Sequence, residues 1–204
     1  RRPAGIYLSY ENKDKLDKTL AKAAKEREID FIIVTDGEAV LGIGDWGIGG
    51  MDISIGKLMV YIICSGINPA RVLPVQLDVG TNNQKLLDDP LYLGAHHKRI
   101  TGKDYDQFVD SFVKSVKKHF PNVYLHWEDF GRDHARSILE RYRDDLCTFN
   151  DDMQGTGIVA TANVISGIQA TKTSYCDHVV VMFGAGTAGC GIMDQILDAF
   201  VASA

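Results

Sequence analysis

Short, apolar, β-branched runs alternate with helical stripes along almost the whole chain. That alternation restricts the fold more than any other feature of the sequence. Ile6–Ser9, Phe31–Val34, Val72–Asp78, Val123–Trp127 and Cys147–Phe149 read as strands. Between them, Asp14–Arg27 places Leu16, Leu20, Ala23 and Ala24 on one stripe, and Asp104–Phe120 spaces Phe108, Phe112, Val116 and Phe120 as a helix does. Ile53–Cys64, Arg132–Leu146 and Gly155–Ala170 read as further helices, the first so apolar that it is expected to be buried. Residues 80–102 read as a long loop. Strands too apolar to face water, separated by helices, predict an α/β fold with a mainly parallel sheet flanked by helices. In such sheets ligands gather beyond the carboxyl ends of the strands.

A last unit begins at His178–Phe183, read as a strand entering Gly184-Ala185-Gly186-Thr187-Ala188-Gly189, with a helix leaving to about Ala199. The first glycine of such a loop permits a tight turn, the second lets backbone approach a pyrophosphate, and the third lets helix and strand pack closely. A purely structural turn is the other reading of the same residues. The acidic residue expected ~20 positions later, at a ribose, falls at or past the last residue, so NAD and NADP are not told apart. The change of unit places residues 1–155 in one domain and 156–204 in the start of a Rossmann-type domain.

Composition removes several function classes. The net charge is −5 and the longest basic feature is Lys117-Lys118, so nucleic acid is not an expected partner. The four cysteines form no CxxC pair. They read as reduced, mostly buried thiols of a cytoplasmic or similarly reducing compartment rather than as a zinc site. No apolar run approaches ~20 residues, so no membrane span is expected. Arg1-Arg2-Pro3 is not followed by a signal-peptide core, and the first strand starts with almost no lead-in.

Two acidic pairs, Glu128-Asp129 and Asp151-Asp152, each follow a strand. Carboxylates grouped at strand ends can chelate a hard cation, and oxygen-only ligands favour Mg²⁺ or Mn²⁺ over zinc. His126 lies inside its strand and reads as a bystander. Helix capping is the alternative, open to Asp152 and Asp133. Lys57 stands in the apolar helix Ile53–Cys64. Desolvation there is expected to lower its pKa, which suits a general base; a lysine snorkelling from a helix edge is the bland reading. The glycine-dense stretch Gly42–Gly50 lets backbone pass close to a ligand or to another segment.

Several long stretches resemble one family together, in order and over the whole chain: Val34-Thr35-Asp36-Gly37-Glu38 through Gly44-Asp45, Gly56-Lys57-Leu58, Leu73-Pro74-Val75 through Asn82-Asn83, Glu128-Asp129-Phe130, and Phe149-Asn150-Asp151-Asp152-Met153-Gln154-Gly155-Thr156. The chain is similar to malic enzymes. The resemblance implies NAD-dependent oxidation and decarboxylation of malate to pyruvate and CO₂ with Mg²⁺ or Mn²⁺. It implies Glu128, Asp129 and Asp152 as metal ligands, Lys57 as general base with Asp151 paired to it, and Gly184–Gly189 as the dinucleotide loop. It also implies a homo-oligomer, dimer or tetramer.

The family's N-terminal catalytic tyrosine and most of its NAD domain have no counterpart here. The chain reads as truncated at both ends and is expected to be inactive alone. Ala39 stands where many members have an arginine that binds malate and cofactor. Gly44-Asp45-Trp46-Gly47, Asp52, Ser54 and Tyr124-Leu125-His126 resemble the malolactic branch, which implies the alternative of malate conversion to lactate and CO₂ with bound NAD and Mn²⁺.

Overall fold

The computed structural model describes residues 5–203; Arg1-Arg2-Pro3 lies outside the described residues. Strands β1 (Ile6–Ser9), β2 (Phe31–Thr35), β3 (Val72–Asp78), β4 (Tyr124–Trp127) and β5 (Thr148–Asn150) form one sheet in the order β1-β3-β2-β4-β5. Every neighbouring pair is parallel. The helices are α1 (Leu16–Glu26), α2 (Gly50–Ser65), a single turn α3 (Gln84–Leu87) within the long loop, α4 (Gly102–His119), α5 (Arg132–Tyr142), α6 (Thr156–Thr171) and α7 (Thr187–Ser203).

Strand alternation divides the core. Ile32, Val34, Leu125 and Trp127 face one side and pack with Leu20 of α1, Phe108, Phe112 and Val116 of α4, and Ile138 of α5. Phe31 and Ile33 face the other side and pack with Leu58 of α2. The α/β reading and the parallel sheet are therefore realised.

Four local expectations fail. The helix Ile53–Cys64 is not buried all round. Met51, Ser54 and Leu58 of α2 are buried, but Met59, Val60 and Ile63 are exposed, because its outer side meets no second layer among the described residues. The stretch Gly47–Ser65 also reaches the length and apolar composition of a membrane span, contrary to the expectation from sequence, although its inner stripe packs on the sheet. His178–Phe183 forms no strand. Val179, Val181 and Phe183 stand exposed, and among the described residues no strand lies beside them to complete a ladder. The cysteines are not mostly buried: Cys64, Cys147 and Cys176 are exposed and Cys190 half-buried.

The glycine-dense segment folds back over the end of β2. Gly37 has φ +68°, and a Cβ there would lie 2.2 Å from the Gly47 carbonyl oxygen. Arg99 pins this segment. Its buried guanidinium donates from Nε to Asp45 Oδ2 at 2.8 Å, and from Nη2 to Asp45 Oδ1 at 2.8 Å and the Asp36 carbonyl at 2.9 Å. Tyr105 donates to Asp36 Oδ2 at 2.7 Å, while Thr81 and the Asn82 amide donate to Asp45. Burial pushes the Asp45 carboxyl up, but Arg99 outweighs it and holds the group below its ordinary value.

Removing one partner of such a cluster strands the others. Arg99→Met is expected to cost ~3–5 kcal/mol, read as a lower urea midpoint at unchanged slope. A change below ~1 kcal/mol would show that Asp36 and Asp45 do not depend on this cation.

Candidate active site

The acidic pairs meet because of strand register. Trp127 of β4 is paired with Asn150 of β5, so Glu128 and Asp151 leave adjacent strands at the same level. Asp129 and Asp152 come next. Asp129 adopts φ +58°, an uncommon conformation that aspartate tolerates better than most residues. The turn is held by the Asp129 amide, which donates to Asp152 Oδ2 at 2.8 Å, and by the Asp129 carbonyl, which accepts from the Ala39 amide at 2.9 Å. Asn150, not Asp152, caps the following turn: its side chain accepts from the Met153 amide at 3.0 Å. A wide helical turn, Asp151–Gly155, then leads into α6. Asp133 makes no cap either, since the capping position of α5 is Gly131.

One carboxylate oxygen from each of Glu128, Asp129 and Asp152 lies within 4.8 Å of the others. Glu128 and Asp129 are buried. Burial, then Asp152 and Glu128, push the Asp129 carboxyl up to about 8. Burial and the Glu128 charge raise Asp152 to about 7. Asp129 Oδ2 is buried with no hydrogen-bond partner. The cluster therefore concentrates more negative charge than its protein surroundings neutralise.

Lys57 projects from the inner side of α2 into this group. Its Nζ lies 3.0 Å from Glu128 Oε1 and 2.5 Å from Asp151 Oδ2. The expected fall in its pKa is corrected here. Burial does pull it down, but Glu128 and Asp151 outweigh burial and hold the amine above the ordinary lysine value. Desolvation was legible in the apolar helix; the two carboxylates, distant in sequence, were not.

The glycine loop borders a cavity of about 520 Å³ that Asp152 also lines. Its walls are residues 39–44 on one side and Gly186, Thr187, Ala188 and Gly189 on the other, with Asp152 between them. Gly184 and Ala185 are not in its lining; the Ala185 carbonyl instead accepts from Arg132 Nη1 at 3.4 Å. Gly189 packs on the loop so closely that a Cβ would lie 2.4 Å from the Gly184 carbonyl oxygen. Gln195 of α7 donates to the Met153 and Gln154 carbonyls, at 3.1 Å each, and fixes the loop relative to the acidic turn.

Two residues given no role at the site by the sequence, Tyr61 and His126, stand beside it. His126 is fully buried and hydrogen-bonded to Glu128, and its Nδ1 lies 3.1 Å from the Tyr61 hydroxyl. The available signal was the two-residue strand period, which turns His126 and Glu128 to the same face.

Residues 1–143 match the family model of the malic enzyme N-terminal domain, and residues 153–204 match that of the malic enzyme NAD-binding domain. The chain is 54% identical to NAD-dependent malic enzyme 3 of Bacillus subtilis over 202 residues, covering 98% of this chain and 36% of that protein. It is 52% identical to the malolactic enzyme of Lactiplantibacillus plantarum, covering 94% of this chain and 35% of that one. It thus spans about a third of the length of these curated relatives. Its fold matches the crystal structure of NAD-dependent malic enzyme from Thermotoga maritima with a TM-score of 0.63 at 24% identity, covering 89% of this chain and 44% of that one. Malic enzyme from Pyrococcus horikoshii gives a TM-score of 0.60 at 22% identity, covering 93% and 36%. With residues 1–143 matched to the family's N-terminal domain and residues 153–204 to its NAD-binding domain, this chain belongs to the malic enzyme family.

Proposed function

We propose that the protein containing this chain is an NAD-dependent malic enzyme, converting malate to pyruvate and CO₂. In this reading Glu128, Asp129 and Asp152 hold Mg²⁺ or Mn²⁺, Lys57 is the general base, Asp151 is its partner, and Gly184–Gly189 receives the dinucleotide. The supporting observation is the three-carboxylate cluster with an orphaned buried oxygen on Asp129, directly beside the Lys57 amine. The donor set is all oxygen, which fits a hard dication. Residues 1–155 would carry the substrate and metal, and residues 156–204 would begin the NAD domain. A homo-oligomer suits Met59, Val60 and Ile63, whose exposure on α2 leaves apolar surface to cover. A cytoplasmic location suits the unpaired cysteines.

When bound, the cation and nicotinamide supply Lewis acidity at the C2 hydroxyl and acceptance of a hydride from C2. The chain's own residues handle the proton. Nζ of Lys57 receives the hydroxyl proton, after its resting proton has passed toward Asp151 Oδ2, 2.5 Å away. Glu128 and Asp151 set the basicity of that amine between them. Leu41 and Ile43, both exposed on the cavity wall, can shield the reacting carbon from water once a ligand fills the space.

The malolactic outcome is a second reading, favoured by the near-equal identities of 54% and 52% to a malic and a malolactic relative. A protein of the relatives' full length, given malate, NAD⁺ and Mn²⁺, is expected to yield pyruvate with equivalent NADH. Lactate without net NADH would select the malolactic reading, and no malate turnover with either metal would remove both.

The raised carboxyls give a pH signature. Asp129 and Asp152 titrate near 8 and 7 in the metal-free fold, against ~3.9 in an unfolded chain. The fold therefore holds protons that the unfolded chain has lost. Stability from these groups is complete below pH ~4 and is lost as pH rises through 7 to 8. Thermal unfolding of the metal-free chain should fall by several degrees from pH 5 to pH 9, with Mn²⁺ restoring more of it as pH rises. Asp152→Asn should flatten this dependence and remove the Mn²⁺ response. A wild-type chain whose midpoint ignores both pH and Mn²⁺ would contradict the assignment.

A further inference from the structure

We propose that Tyr61 and His126 form a positioning pair that fixes the Glu128 carboxylate for the cation and for Lys57. The inference rests on the metal assignment proposed above. It starts from a match between helix and strand. Lys57 and Tyr61 are four residues apart on α2, ~6 Å along a helix axis. Glu128 and His126 are two residues apart at the end of β4, ~6.7 Å along a strand. The two spacings agree, so one inner stripe of α2 meets one face of β4 twice. Lys57 Nζ reaches Glu128 Oε1 at 3.0 Å, and the Tyr61 hydroxyl reaches His126 Nδ1 at 3.1 Å.

The proton pattern follows from the partners. His126 Nε2 is hydrogen-bonded to Glu128 Oε2. A carboxylate only accepts, so Nε2 carries the hydrogen, and with one hydrogen on the ring Nδ1 is left as the acceptor. The Tyr61 hydroxyl then donates to Nδ1, and one tautomer is fixed. The ring is held by aromatic neighbours: Tyr61 at 83° and 5.7 Å, Phe149 at 67° and 5.7 Å, and Phe31 at 6.2 Å between centroids. His126 is fully buried, so this grip is not shared with solvent.

His126 is not itself placed as a ligand. One atom each of His126, Glu128 and Asp151 lies within 4.8 Å of the others, as a second metal trio would require. The Lys57 ammonium, however, already contacts both acids of that trio. Both ring nitrogens are engaged as well. The imidazole thus occupies Oε2 of Glu128 and leaves Oε1 turned to Lys57. Groups that orient a ligand in this way typically change metal affinity 10–100-fold when removed.

The test is Mn²⁺ affinity of this chain, measured by electron paramagnetic resonance of free Mn²⁺, with circular dichroism and thermal unfolding as checks on the fold. His126→Phe keeps a ring in the aromatic pocket but cannot donate to Glu128, and should weaken Mn²⁺ binding ~10–100-fold. His126→Gln, whose amide can still donate, should recover most of the loss. Tyr61→Phe should weaken binding less than His126→Phe. The Tyr61→Phe, His126→Phe double variant leaves no stranded hydroxyl, which protects the fold. It should bind no more weakly than His126→Phe alone, because Tyr61 acts only through the ring.

His126→Phe binding as tightly as wild type, or His126→Gln as weak as His126→Phe, would overturn the positioning role while leaving the metal assignment intact. A wild-type chain that binds no Mn²⁺ would remove the metal assignment and this inference with it.

Discussion

Four carboxylates crowd the carboxyl ends of β4 and β5, and the Lys57 ammonium reaches two of them. Much of the local structure serves that juxtaposition. The Trp127–Asn150 register brings the two acidic pairs level. At Asp129 the left-handed backbone turns the chain so that its amide donates to Asp152 Oδ2, with a carboxylate oxygen of each residue within 4.8 Å of the other. Burial raises the energy of the ionised forms, as the upward shifts at Asp129 and Asp152 record. A protein gains nothing in stability from holding like charges this way. Such an arrangement makes sense where a positive ligand is to be captured.

The same geometry explains why lysine, acids and glycine loop form one site from distant segments. The inner stripe of α2 carries Lys57 over the strand ends. The wide turn at Asp151–Gly155 and the Gln195 contacts bring α7 against the acidic turn. Arg99 and Asp45 hold residues 36–45 as the opposite wall of the cavity. Ala39 lies in that wall, at the position where the resemblance to malic enzymes leads one to expect an arginine.

Much of this was legible in the sequence because it is local or periodic. Alternating apolar runs give the strands, helical stripes give α1 and α4, and strand-end acids point to the site. What escaped depends on distant neighbours. Lys57 was expected to lose basicity because only its own helix was visible, whereas Glu128 and Asp151 come from other strands. The composition of α2 could not show that its outer side stays uncovered. The run at Val179–Phe183 has strand composition, but a strand requires a neighbour to bond, and none is present among the described residues. His126 was set aside as a strand residue, although its two-residue offset from Glu128 already placed both side chains on one face.

The central claim is that three of these carboxylates share one cation. The direct measurement is anomalous diffraction from crystals of the chain grown with Mn²⁺. The account predicts one anomalous peak bounded by Glu128, Asp129 and Asp152, ~2 Å from an oxygen of each. A structure showing these carboxylates turned to separate regions, or Mn²⁺ bound only elsewhere, would contradict it.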